Sequence, residues 1–275
     1  MLPKFQQFIK ERQYLMNVSP ATVQWYTHNF KWLTSESPTE AELKDTVIRM
    51  REKGLKATGC NSAIQAINVY LKWSGSALRV AKLKEPRRIL PTFTLPQVSQ
   101  LIHWKPKGIY ERRLHLLTLV LLDTGCRISE VLSLGVQDVD LDNLLLTVTG
   151  KGRKERKVPI SFELRKALAR HIVDSASHHH DLVFCTRRGR MLDRHIMLRD
   201  VKLLCGRLGF EPPERTLHAF RHTFAVNYLR KGGSVFHLQR VLGHSSLEMT
   251  RRYVNLTTAD LSETHPRVSL LASVA

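Results

Sequence analysis

The stretch from Leu217 to Leu256, LHAFRHTFAVNYLRKGGSVFHLQRVLGHSSLEMTRRYVNL, constrains this chain more than any other. His218 and Arg221 stand three residues apart, a spacing that puts both on one face of a helix. Phe220 and Phe224 fall on the opposite face, where they can bury against a core. Any fold of this segment must therefore present an imidazole and a guanidinium on a rigid helix, and the expectation is that both point out of the core. A Gly243-His244 turn follows, and Tyr253 closes a last helix-like run. Arginine offers a planar fork of donors suited to phosphate oxygens, and a tyrosyl hydroxyl is a nucleophile once activated. Together these groups point to phosphoryl transfer.

A phosphate-handling site matters more on a chain with net charge +19, from 43 Lys plus Arg against 24 Asp plus Glu in 275 residues. The excess is not confined to one tail. Fifteen basic and seven acidic residues fall in 1–95, and twenty-eight and seventeen in 96–275. Both halves are thus expected to contact the same polyanion, a nucleic acid. The length suits two domains, each with its own core. No apolar run is long enough to span a bilayer, and MLPKFQQFIKERQ lacks a signal-peptide core, so no membrane partner is expected. Cys60, Cys126, Cys185 and Cys205 show no CxxC spacing, which argues against both a zinc site and a disulfide framework. A cytoplasmic location is the simplest setting.

Residues 1–80 read as a small helical domain. Apolar stripes occur at Phe5, Phe8 and Ile9, at Val23, Tyr26, Phe30 and Leu33, at Leu43, Val47 and Met50, and at Ile64, Ile67 and Leu71. Ser19-Pro20 and Ser37-Pro38 read as helix starts, with Ser as N-cap, Pro at the first helical position and Glu40 closing a capping box with Ser37. Residues 82–93, KLKEPRRILPTF, read as an extended basic linker because proline disfavours helix at and before itself. A helix then starts at a Thr94-x-x-Gln97 box.

The apolar run from Tyr110 breaks at Thr124-Gly125. Arg127 follows, with Glu130 three residues on; this pair is either structural or a phosphate-facing arginine supported by a carboxylate. LDNLLLTVTGKGRKERKVPI reads as a β-hairpin with a Gly150-Lys151-Gly152 turn. It is not a nucleotide P-loop, since Leu145 stands where the first glycine belongs and Gly152 follows the lysine. Residues 161–175 read as a helix with Leu164, Ala167, Leu168 and Ile172 on one side. His178, His179 and His180 read as a loop and not a metal site. DLVFCT reads as a short buried strand, TRRGR as a basic turn, and MLDRHIMLRDVKLLCGRLGF as an amphipathic helix.

Arg127 in TGCRISE, Lys151 in TGKGRKERKVPI, His218-x-x-Arg221 in LHAFRHTFA, His244 in LGHSS and Tyr253 in TRRYVNL form an ordered set. Together they resemble the tyrosine recombinase (phage integrase) family, of the Xer or transposon-integrase type; the motifs cover most of 110–256. The resemblance implies a mainly α (α+β) fold. Residues 1–81 would be a SAM-like core-binding DNA clamp and 82–93 a linker. A catalytic domain with a small antiparallel sheet would occupy 94–256. The tail, 257–275, would pack on its own domain or dock on a neighbouring subunit. The chain begins directly at the clamp-like helices, without a further arm-binding domain, which favours a simple recombinase.

By the same resemblance the catalytic residues are Arg127, Lys151, His218, Arg221, His244 and the nucleophile Tyr253, with Glu130 supporting Arg127. Strand exchange would run through a 3′-phosphotyrosyl link, on a homotetramer holding two double-stranded DNA sites, and needs neither metal nor other cofactor. Need for a second recombinase or accessory protein is open. Two alternatives also stay open: a type IB topoisomerase relaxing one DNA, and a non-catalytic DNA-binding protein. The target site, and the choice among integration, transposition, inversion and dimer resolution, depend on docked geometry that residues alone do not give.

Overall fold

The structure, a computed structural model, describes residues 2–85, 90–150, 152, 154–175 and 180–254. They fall into two compact units, Met1–Arg88 and Ile89–Ala275. Lys151, His178, His179 and the tail 257–275 lie outside the described residues.

The first unit is built from α1 (Pro3–Tyr14), α2 (Pro20–Asn29), α3 (Glu40–Glu52) and α4 (Ala57–Trp73). The apolar stripes converge as read: Phe5, Phe8, Tyr26, Phe30, Leu43, Met50, Ile64, Ile67 and Leu71 bury in one cluster with Tyr70. Phe5, Phe8 and Phe30 meet the Tyr70 ring edge-on at 4.8, 5.6 and 5.4 Å, the favoured geometry for ring quadrupoles. Ser19 caps α2, its side chain accepting the Thr22 N–H.

The start of α3 corrects the sequence reading. Thr39 and not Ser37 is the cap, and Glu42 and not Glu40 closes the box, with bonds of 2.7 and 3.3 Å. Two overlapping Ser/Thr-x-x-Glu patterns compete here, and tertiary contacts decide between them. The Tyr70 hydroxyl donates to the Glu36 carbonyl at 2.8 Å and the Lys4 N–H to the Glu36 carboxylate at 2.6 Å, fixing the approach segment outside the helix.

Beyond α4 the chain runs extended along that helix. Asn68 exchanges a pair of bonds with Val80 at 2.8 and 2.9 Å, and Asn61 does so with Leu83 at 2.9 and 2.7 Å. Each side-chain amide thus supplies the donor and acceptor that a neighbouring strand would otherwise give.

The second unit contains α5 (Leu95–His103), α6 (Ile109–Thr124), α7 (Ile128–Leu132), β1 (Val139–Asp140), β2 (Leu145–Thr149), β3 (Glu155–Pro159), α8 (Phe162–Ser175), α9 (Arg194–Arg207), α10 (Thr216–Arg230), α11 (Val235–Leu242) and α12 (Leu247–Val254). The chain is mainly helical with one small antiparallel sheet, as expected. Thr94 caps α5 in the box read from sequence. Apolar over much of its length, α6 is central, touching α5, α7, α8, α9 and α10. The sheet runs β1-β2-β3, with Leu145 opposite Pro159 and Thr149 opposite Glu155. Alternation turns Leu146, Val148 and Val158 into the core.

DLVFCT is not a strand. It makes only single bridges, Gly135 with Leu182 and Cys185 with Met191, although Val183 and Phe184 are buried as read. Its neighbour turns directly into a 3-10 segment, Val136–Asp138, so the ladder cannot propagate.

Candidate active site

The helix carrying His218 and Arg221 is α10, and the structure corrects one expectation about it. His218 is exposed, but Arg221 is 5% exposed and turned into the protein. A buried guanidinium requires compensation, and this one finds it at two helix ends. Nη1 donates to the Gly125 carbonyl at 3.0 Å and Nη2 to the Leu242 carbonyl at 2.7 Å. These oxygens terminate α6 and α11, where unsatisfied carbonyls carry the partial negative charge of the helix dipole.

Both helices end in left-handed glycines, Gly125 at φ 62° and Gly243 at φ 65°. A Cβ at Gly125 would collide with the Phe224 ring, and one at Gly243 would lie 3.0 Å from Arg156 Cδ. The glycines therefore let two carbonyl ends reach one guanidinium. Burial, then repulsion from Arg127, lowers the Arg221 pKa to about 10, which leaves it charged at neutral pH.

Arg127 precedes α7. Its backbone N–H and its Nη1 both donate to Glu130, at 2.7 and 2.8 Å. The Arg127 side chain is 35% exposed, whereas Glu130 is buried. Glu130 serves a second arginine, which residue spacing did not flag. Arg156 of β3 donates from Nη1 and Nη2 to the two carboxylate oxygens at 3.0 and 2.8 Å, and from Nε to the Val241 carbonyl at 2.7 Å. Burial alone would raise the Glu130 pKa, but the Arg156 hydrogen bonds, the Arg127 N–H and the Arg156 charge hold it below the ordinary carboxylate value. Arg156 thus ties β3 to α7 and to the end of α11.

Tyr253 lies on α12, 4% exposed, within a cluster of Ala225, Val226, Leu238 and Leu242. Its ring stacks on His244 at 6.3 Å with planes 5° apart. His244 Nδ1 pairs with Thr250 Oγ1 at 2.8 Å, so a neutral ring accepting there carries its hydrogen on Nε2. Burial and then the charges of Arg221 and Arg127 lower the His244 pKa to about 4. His218, exposed overall but with part of its ring screened from water by its neighbours, is lowered too, first by that desolvation and then by Arg194, Arg215, Arg221 and Arg127. For Tyr253, burial raises the phenol above its usual value and Arg221 pulls part of that back.

The phenol itself meets a residue that the sequence reading passed over. The Tyr253 hydroxyl is 3.0 Å from Nδ1 of His222, which lies next to Arg221 and one helical turn beyond His218. Spacing carried a signal, since 218 and 222 share a face, but the partner comes from another helix 31 residues away.

Arg127, His218, Arg221, His244 and Tyr253 are therefore brought into one electrostatic neighbourhood, each of the last four feeling the Arg127 charge. A cleft of about 630 Å³ elsewhere in the unit, lined by Trp104, Arg113, His115 and His171 among others, contains none of them. Among the described residues no group of three or more His, Cys, Asp or Glu is placed to hold a metal ion, and no helix is long and apolar enough to cross a membrane.

Residues 91–260 match the model of the phage integrase family. The tyrosine recombinase XerA of Pyrococcus furiosus is 30% identical over 93% of this chain and 91% of its own length. XerC of Bacillus subtilis, also a tyrosine recombinase, is 30% identical over 83% and 82%. Among solved structures, a XerA recombinase superposes with TM-score 0.57 at 24% identity, covering 97% of this chain and 98% of that one. A Tn1549 transposon integrase in complex with transposon right end DNA gives 0.73 at 20%, covering 92% and 94%. Those two likenesses show a shared fold.

Proposed function

This chain belongs to the phage integrase family and is a tyrosine recombinase, and we propose that Tyr253 is the nucleophile with which it cleaves and rejoins DNA at specific sites. The observation that carries the assignment is the setting of Tyr253: a buried phenol stacked on His244, on a helix packed against the one that holds Arg221.

A phenol with a pKa at or above about 10 is a weak nucleophile at neutral pH. Tyr253 Oη attacks the scissile phosphorus as its O–H bond breaks, and His218, held neutral, takes the proton. Charge grows on the nonbridging oxygens, and Arg127 and Arg221 are fixed donors for it. Arg221 is preorganised by two helix ends, Arg127 by Glu130. His244 adds a hydrogen bond from Nε2. Lys151, which the sequence places between β2 and β3, gives the leaving 5′-oxygen its proton. The product is a 3′-phosphotyrosyl ester, which a 5′-hydroxyl of a second DNA attacks in turn, one ester replacing another. We further propose a homotetramer on two DNA sites, working in the cytoplasm; a second recombinase or accessory protein is an outcome that reconstitution would reveal.

The test is a nicked suicide duplex, drawn from DNA flanking the gene for this chain, run on a denaturing gel after incubation. The wild type forms a covalent protein–DNA adduct; Tyr253→Phe binds the same duplex and forms none. Residual adduct in that variant would remove Tyr253 from the nucleophile's role.

A further inference from the structure

We propose that His222 is a positioning residue for the nucleophile: its Nδ1, 3.0 Å from the Tyr253 hydroxyl, receives the phenol hydrogen in the resting enzyme and so keeps that hydrogen off the oxygen lone pair that attacks. The inference rests on the reading of Tyr253 as nucleophile.

A phenolic hydrogen turns easily about its C–O bond and goes to the best acceptor in reach. When DNA binds, that acceptor includes a nonbridging oxygen of the very phosphate to be attacked. A phenol donating there presents its hydrogen to the target where a lone pair is needed. An acceptor on the protein side removes that option, and His222 is such an acceptor. It belongs to α10 and Tyr253 to α12, and the rings are 5.7 Å apart, inclined by 49°, so the contact is made through the hydroxyl and not by stacking. The arrangement needs a neutral ring with its hydrogen on Nε2. Burial foremost, then His218, Arg221, Arg215 and Arg252, lower the His222 pKa to about 4, which secures the neutral form. His222 is half-buried and His218 exposed, so His222 orients the phenol only in the resting state. As Tyr253 Oη bonds to phosphorus, its O–H bond breaks, the hydrogen turns away from Nδ1, and the proton passes to His218, where solvent can stabilise the imidazolium.

Three variants separate the bond from the ring. Asparagine places an acceptor oxygen near the position of Nδ1, glutamine places it near that of Nε2, and phenylalanine keeps the ring without an acceptor. On the nicked duplex, single-turnover adduct formation is expected to fall roughly ten- to hundredfold in His222→Phe and His222→Gln. His222→Asn stays within a few-fold of wild type (roughly threefold), and DNA affinity is unchanged in all three. A duplex with sulfur as the 5′-bridging atom, whose thiolate leaves without a proton, rescues Lys151→Ala but not His222→Phe. Wild-type rates in His222→Phe, equal loss in all three variants, or rescue of His222→Phe by sulfur would each overturn the proposal.

A second measurement does not depend on cleavage. Nitrogen-15 spectra of the histidine rings are expected to show His222 with hydrogen on Nε2 and an Nδ1 shift that moves in Tyr253→Phe. Hydrogen on Nδ1 overturns the inference even where adducts form. The expected tautomer beside residual adduct in Tyr253→Phe would instead overturn the nucleophile reading and leave the His222–Tyr253 bond standing.

Discussion

At the scale of single residues, the site depends on groups kept in one charge state by their surroundings. His222 and His244 both have pKa values near 4, against an ordinary value of about 6.5. Between those values the unfolded chain binds protons that the folded one refuses, so stability rises with pH. The contribution is complete above about 6.5 and is lost as pH falls through about 4. The thermal midpoint of the second unit is therefore expected to drop across that window, and to drop less in His222→Asn. An identical profile in wild type and variant would contradict the neutral burial of His222. Glu130 acts in the same direction. Its lowered pKa adds stability above the unfolded carboxylate value of about 4.3, lost as pH falls through the folded one.

Elements bring these residues together through their ends more than their faces. The C-termini of α6 and α11 hold Arg221, the end of α11 also holds Arg156, and the N-terminus of α7 carries Arg127 beside Glu130. Gly125→Ala is expected to destabilise by about 2–4 kcal/mol, combining left-handed strain with a methyl forced into Phe224. Urea unfolding would measure it; a loss below 1 kcal/mol would mean that the turn relaxes. In α3 the cap is testable by contrast. Thr39→Ala should cost about 1 kcal/mol and Ser37→Ala almost nothing. The reverse order would restore the helix start that sequence spacing favoured.

For the whole molecule the governing quantity is charge. Positive excess in both parts of the chain implies that DNA affinity falls steeply with salt, since each neutralised phosphate releases counterions. A log–log plot of affinity against salt should be steeper for the full chain than for residues 89–275 alone; equal slopes would assign the phosphate contacts to one part. The sequence by itself determined a good deal. Helical periodicity located the helices, Thr94 and Ser19 named their own caps, the β2–β3 hairpin was legible from its Leu-, Thr- and Val-rich strand and the Gly150-Lys151-Gly152 turn, and the ordered residues from Arg127 to Tyr253 marked the family. Those are local properties, set by spacing along one chain segment and the chemistry of each residue type. Only tertiary structure decided the rest: that Thr39 outcompetes Ser37, that DLVFCT fails to extend a ladder, that Arg221 faces inward, and that Arg156 and His222 join the site. Each depends on a partner tens of residues away, and the direction in which a side chain satisfies its hydrogen bonds is fixed only when that partner arrives.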